Sequence, residues 1–185
     1  LSLPSEESLR TIFARVEKKE TPALDDAFTQ RPLLEKKPRA GRIVTETKIP
    51  ELGITEWSLA NGVRVVLKPT GSEPDRIFFD AWKPGGSSLL SDGDYWAALP
   101  LFWIIRQCGL GDFDRVALKK KLLGTIAFAT PGIWPLYERV EGKAHEKDLE
   151  TMFELIYLRF TGQHACDEEF RTWLAQERDW LRNRT

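Results

Sequence analysis

The dipeptide Asn61-Gly62 constrains the fold more than any other feature of the sequence. Both residues tolerate positive φ, and they separate two runs of strand-forming residues, 56–60 and 63–68, so the pair predicts a tight β-hairpin. Residues 43–49 alternate loosely upstream and turn at Pro50-Glu51-Leu52-Gly53. Downstream, residues 76–83 carry Ile77, Phe78, Phe79, Ala81 and Trp82 into Pro84-Gly85-Gly86-Ser87-Ser88, where a side-chain-poor backbone must make a tight passage. Two further strands are predicted at 125–130 and 135–141.

Helical spacing dominates elsewhere. Ser5 is placed to cap a helix carrying Leu9, Ile12, Phe13 and Val16, which Thr21-Pro22 ends. Pro32 and Pro38, with Lys36, Lys37 and Arg39, then read as a tether crossing a surface. Residues 1–42 are therefore expected to be a connector helix and tether, and residues 43–185 the body. A largely apolar stretch, 94–108, predicts a buried helix that Pro100 kinks or delays. Gly109-Leu110-Gly111 stops it, and Asp112 or Asp114 caps a shorter helix ending near Leu123. The last 40 residues hold two apolar stripes: Leu149, Met152, Phe153, Ile156 and Phe160, then, after Asp167 as cap, Phe170, Trp173, Leu174 and Leu181. Strands gathered first and helices later predict an α+β domain, with helices on one face of a mostly antiparallel sheet.

Composition narrows the function classes. The 185 residues carry a formal net charge of −1, which gives no electrostatic case for nucleic acid or an anionic membrane. No apolar run approaches the roughly 20 residues that span a bilayer. His145 and His164 lie far apart in loop-like sequence without a paired ligand, so neither reads as a metal ligand. Cys108 and Cys166 read as two buried free thiols, with a disulfide as the alternative. There is no Gly-x-Ser-x-Gly elbow, the 85–88 turn lacks the P-loop ending, and Lys119-Lys120-Lys121 reads as a solvated face. The seven tryptophans are spread over strands, helices and a turn, which favours core and interdomain packing over a binding groove, although one or two could touch peptide.

Several segments together resemble the pitrilysin/insulinase family of zinc peptidases. Residues 49–70, with Glu56-Trp57-Ser58-Leu59-Ala60-Asn61-Gly62-Val63, look like the opening of a family repeat. The 84–92 passage followed by Gly109-Leu110-Gly111-Asp112-Phe113 is similar to the third homologous domain, as is Gly142 with Asp148-Leu149-Glu150-Thr151. The resemblance implies a two-layer fold like that of the mitochondrial processing peptidases, shortened by its final strands and helix. It also places the inverted zinc motif HxxEH at Leu99-Pro100-Leu101-Phe102-Trp103, where every ligand and the general base are replaced. Glu177, seventy-four residues beyond Trp103, falls about where the distal glutamate ligand would lie. It is read either as a vestigial ligand position or as a carboxylate paired with a nearby arginine.

By this resemblance no catalytic, cofactor-binding or metal residue is expected, and the chain itself is expected to be inactive. Its implied role is a non-catalytic domain of a zinc endopeptidase that helps enclose peptide, with the zinc in the catalytic domain of the parent protein. The implied partners are that catalytic half and peptide substrate, and the implied compartment is the periplasm. A stand-alone binding or assembly module, like the family's inactive subunits, is the alternative. A shortened repeat would leave a sheet edge or helix face uncovered, so self-association is also expected.

Overall fold

The computed structural model describes residues 5–17, 30–164 and 166–184. Helix α1 spans Glu6–Glu17, and Ser5 caps it by accepting the Ser8 N–H at 3.2 Å. The predicted stop at Thr21-Pro22 lies outside the described residues.

Six strands divide between two antiparallel three-stranded sheets. The first has the order β1 (Ile43–Ile49), β2 (Ile54–Leu59), β3 (Arg64–Leu67). The Asn61-Gly62 hairpin joins β2 to β3, but not as a two-residue turn. Only Gly62 adopts positive φ, at 86°. Its N–H donates to Leu59 O at 2.9 Å and the Leu59 N–H donates to Val63 O at 2.8 Å, which closes a three-residue loop. Asn61 instead accepts the Val63 N–H through Oδ1 at 3.2 Å, a local bond that suits its ordinary φ.

The second sheet has the order β4 (Arg76–Pro84), β6 (Tyr137–His145), β5 (Ala127–Ile133). Strands β5 and β6 run beyond the predicted spans because their pairing continues from Ala127↔Ala144 to Ile133↔Glu138. Helix α5 (Leu149–Thr161) covers one face of this sheet. Gly142 on β6 makes the approach possible: a Cβ there would lie 3.0 Å from Met152 Sδ and 3.1 Å from Phe128 O. Phe79 of β4 meets Phe153 edge-on at 5.6 Å between ring centroids. Among the described residues no helix packs on the opposite face. There Asp80 takes a bidentate pair of hydrogen bonds from Arg139 at 2.8 and 2.7 Å, and Phe78, Trp82 and Phe128 are exposed. Antiparallel sheet with helices on one side is the α+β arrangement that the order of elements predicts.

Pro100 breaks the apolar stretch into α2 (Asp92–Ala98) and α3 (Leu101–Gln107). Ser91 caps α2, accepting from the Asp94 N–H at 3.2 Å. Asp114 rather than Asp112 caps α4 (Arg115–Lys121), accepting from Ala117 at 2.8 Å. Asp167 opens α6 (Asp167–Arg182) as its first helical residue, and Cys166 takes the cap position without a side-chain bond. In the glycine-rich passage Gly86 has φ 72°, and a Cβ there would collide with Trp134 O. The Ser87 and Ser88 N–H groups bind the β5–β6 connection at 2.9 and 2.8 Å. That accounts for the side-chain-poor sequence.

The core gathers Leu33, Leu110, Phe113, Leu118, Ala129, Leu155 and Leu158. Leu33 corrects the expected surface tether: it is buried among body residues, and beside it Lys37 pairs with Glu150 of α5. Replacing Leu33 with Ala is expected to cost about 2–4 kcal/mol in urea unfolding, the range for a buried leucine.

Glu154 yields a second expectation. Burial and, less strongly, the Glu150 charge raise its pKa, against the pull of Lys37 and Lys121. A carboxyl with a raised folded-state pKa favours folding while protonated and loses that contribution as pH rises through the shifted value. Glu154→Gln should therefore raise the melting temperature at pH 7, with the gain shrinking as pH falls through the raised value and gone below about pH 4.

Candidate functional site

The C-terminal end of α3 and the N-terminal end of α6 are fastened at one junction. Cys108 follows α3, Cys166 precedes α6, their Cα atoms are 5.6 Å apart, and the two are joined as a disulfide spanning 58 residues. This corrects the reading of two free thiols. Helical flanks and an apolar setting suggested inert burial, but proximity across 58 residues comes from tertiary folding, which local pattern does not report.

The intervening turns are stitched together. Leu110 is fully buried and bridges to both Phe113 and Gln163. The Gly111 N–H donates to Gly162 O at 2.9 Å, and His164 Nε2 bonds to Gly111 O. Gly111 needs its positive φ of 60°, and a Cβ there would press on Leu158 at 3.1 Å.

Above this junction α3 and α6 diverge and leave an open cleft of about 650 Å³. Glu169, Trp173 and Glu177 line it at helical spacing i, i+4, i+8 along one face of α6. Trp103, Ile104 and Gln107 line it from α3, and Arg115 contributes the positive charge from the start of α4. Glu169, Trp173 and Glu177 are each half-buried. Among the described residues Glu177 makes no ion pair, and Arg115 lines the same cleft.

The cleft therefore brings Trp103, the last residue of the expected motif slot, and Glu177 to one surface. Leu99 and Pro100 lie at the α2–α3 break, outside its lining. His145 and His164 are elsewhere. His145 ends β6 with a buried Nδ1 that has no hydrogen-bond partner among the described residues, and His164 is held on Gly111 O. Zinc does not fit these residues: the slot and Glu177 together supply one carboxylate and no imidazole or thiolate. Among the described residues, no group of three or more His, Cys, Asp or Glu is placed to hold a metal ion.

Four of the seven tryptophans lie outside the core. Trp82, Trp96, Trp103 and Trp180 are all more than half exposed, at 67%, 72%, 58% and 53%. Sequence reasoning also passed over Glu169, Gln107 and Arg115. The i, i+4, i+8 spacing of Glu169, Trp173 and Glu177 was a readable signal, whereas the α3 and α4 partners depend on tertiary placement.

No side chain of α6 is fully buried, so the disulfide is the principal clamp on this wall of the cleft. Chain entropy for a 58-residue crosslink gives about 4 kcal/mol of stabilisation. Cys108→Ser with Cys166→Ser, or dithiothreitol, should lower stability by that order in denaturant unfolding. Hydrogen exchange should rise first in α6 while α5 stays protected.

No protein-family profile matches the chain. A zinc protease PQQL-like protein of Arabidopsis thaliana is 26% identical over 165 residues, covering 87% of this chain and 15% of that protein. The periplasmic protease PqqL from Escherichia coli has a similar fold, with a TM-score of 0.75 at 16% identity, covering 97% of this chain and 20% of that chain. A mutant of the ferredoxin protease FusC, in complex with Arabidopsis ferredoxin, matches with a TM-score of 0.57 at 15% identity, over 85% of this chain and 18% of that one. A protease from Helicobacter pylori gives 0.53 at 21% identity, over 69% of this chain and 31% of the other. The chain thus spans between a seventh and a third of the length of these proteins. The chain is similar in sequence to part of a zinc-protease-like protein, and along nearly its whole length it shares the fold of part of a periplasmic protease.

Proposed function

We propose that the chain is a non-catalytic domain of a zinc-dependent endopeptidase, in which residues 43–185 help a catalytic half enclose peptide and residues 1–42 connect this domain to what precedes it. The observation that carries the reading is the chemistry of the α3–α6 cleft. Its walls bear Trp103 from the motif slot and Glu177 from the distal ligand position, and the slot residues 99–103 lack imidazole and carboxylate. Without them neither a ligand set nor a base for water is available. Glu177 is then a vestigial position, and the zinc belongs to the catalytic domain of the parent protein.

Exposure supports a domain that works against a partner. Among the described residues Phe78, Trp82, Trp96, Trp103, Phe160 and Trp180 are each more than half exposed. A surface rich in exposed aromatic residues suits closure against another half or against a second copy. The Cys108–Cys166 disulfide suits an oxidising compartment and so favours the periplasmic assignment.

The test has two arms. Purified chain, dialysed and subjected to elemental analysis, should contain no zinc and should not hydrolyse peptide. Co-expressed with the HxxEH-bearing half of its parent, it should co-purify and raise that half's turnover at least tenfold. Stoichiometric zinc with turnover in the chain alone would overturn the reading. An inert chain that leaves the catalytic half unbound would transfer the assignment to a stand-alone assembly module.

A further inference from the structure

We propose that the α3–α6 cleft is a docking groove for an amphipathic helix of a partner polypeptide, one whose apolar stripe is bordered by arginines. The groove has an apolar and aromatic floor. Ile104 is buried at its base, Trp103 and Trp173 form its sides, and Phe170 and Leu181 continue the apolar stripe of α6 into solvent at 43% and 58% exposure. A 16-residue amphipathic helix with no buried side chain has an unfilled face. A cavity of about 650 Å³ between two helices accepts a row of side chains presented at i, i+3 or i+4, and i+7.

Charge selects the occupant. Glu168, Glu169 and Glu177 line the groove against Arg115, and no ion pair among the described residues links any of these carboxylates to a cation. The half-buried carboxylates of Glu169 and Glu177, beside the indole of Trp173, favour a guanidinium, which can donate a bidentate pair of hydrogen bonds to a carboxylate and stack on the ring. An acidic helix would meet like charge at both Glu169 and Glu177, which are eight residues and two turns apart on α6. The proposal therefore commits to a basic-flanked helix. It is independent of where the parent protein keeps its zinc.

Two synthetic helices of α6's length, 16 residues, share one leucine stripe and differ only in carrying Arg or Glu on its borders. Each is titrated into the full chain by calorimetry, with tryptophan fluorescence compared between the chain and its Trp103→Phe variant. The Arg-bordered helix should bind at least about tenfold more tightly, with a fluorescence change that Trp103→Phe reduces. Glu169→Lys with Glu177→Lys, both partly solvent-exposed and checked by circular dichroism, should invert the preference. Equal affinity for the two helices, or a preference unchanged by the double substitution, overturns the proposal. So does a dimer in sedimentation that the Arg-bordered helix fails to dissociate, because the groove would then belong to a second copy.

Discussion

The guanidinium of Arg159 ties together three parts of the chain that are distant in sequence. From α5 it donates to Ile105 O in the last turn of α3 at 3.1 Å, to Gln163 Oε1 at 3.0 Å, and to Ala129 O on β5 at 3.4 Å. Burial, followed by repulsion from Arg106, lowers its pKa, yet an arginine keeps its charge under any ordinary condition. A partly buried cation facing neutral acceptors is tolerable because the planar fork spreads its donors over several oxygens at once. Lysine in this position would present a point charge to carbonyls set at different angles. The Ile105 carbonyl is also one of those that a helix end leaves unpaired, so one side chain satisfies an orphaned acceptor and sets α3 on the sheet–helix core. Through the Ile105 bond α3, which carries one wall of the cleft and leads into Cys108, is held to α5.

Much of the secondary structure was legible because its signals are local. Asn61-Gly62, Ser5, Asp114 and the stripes of α5 and α6 act through bonds to near neighbours, and each stands where its chemistry predicts. The misreadings share the opposite character. Leu33 looked like tether because prolines surround it, but burial against Leu110 and Leu155 is decided by residues far along the chain. The cysteines lie 58 residues apart, and their pairing follows only once α3 and α6 meet. The tryptophans were expected in core and interdomain packing, and residue type alone did not say that four of them would lie outside the core.

The candidate site divides in the same way. The α6 wall, with Glu169, Trp173 and Glu177 in register, follows from helical spacing alone. The α3 wall does not, because Pro100 shifts the helix start and with it the direction in which Trp103 and Gln107 point. The family resemblance located both halves of the surface without giving their separation. The fold supplies that separation through the junction at Gly111 and Gly162, where the absence of side chains lets two turns touch.

The disulfide also sets a condition on when the cleft can exist. Cys108 and Cys166 lie 58 residues apart, and an oxidising compartment has to supply the bond between them. With only two cysteines in the chain, no competing partner within it can capture either thiol. The strands and α5 all precede Cys166 in sequence, so the element that carries the second wall is the last to arrive.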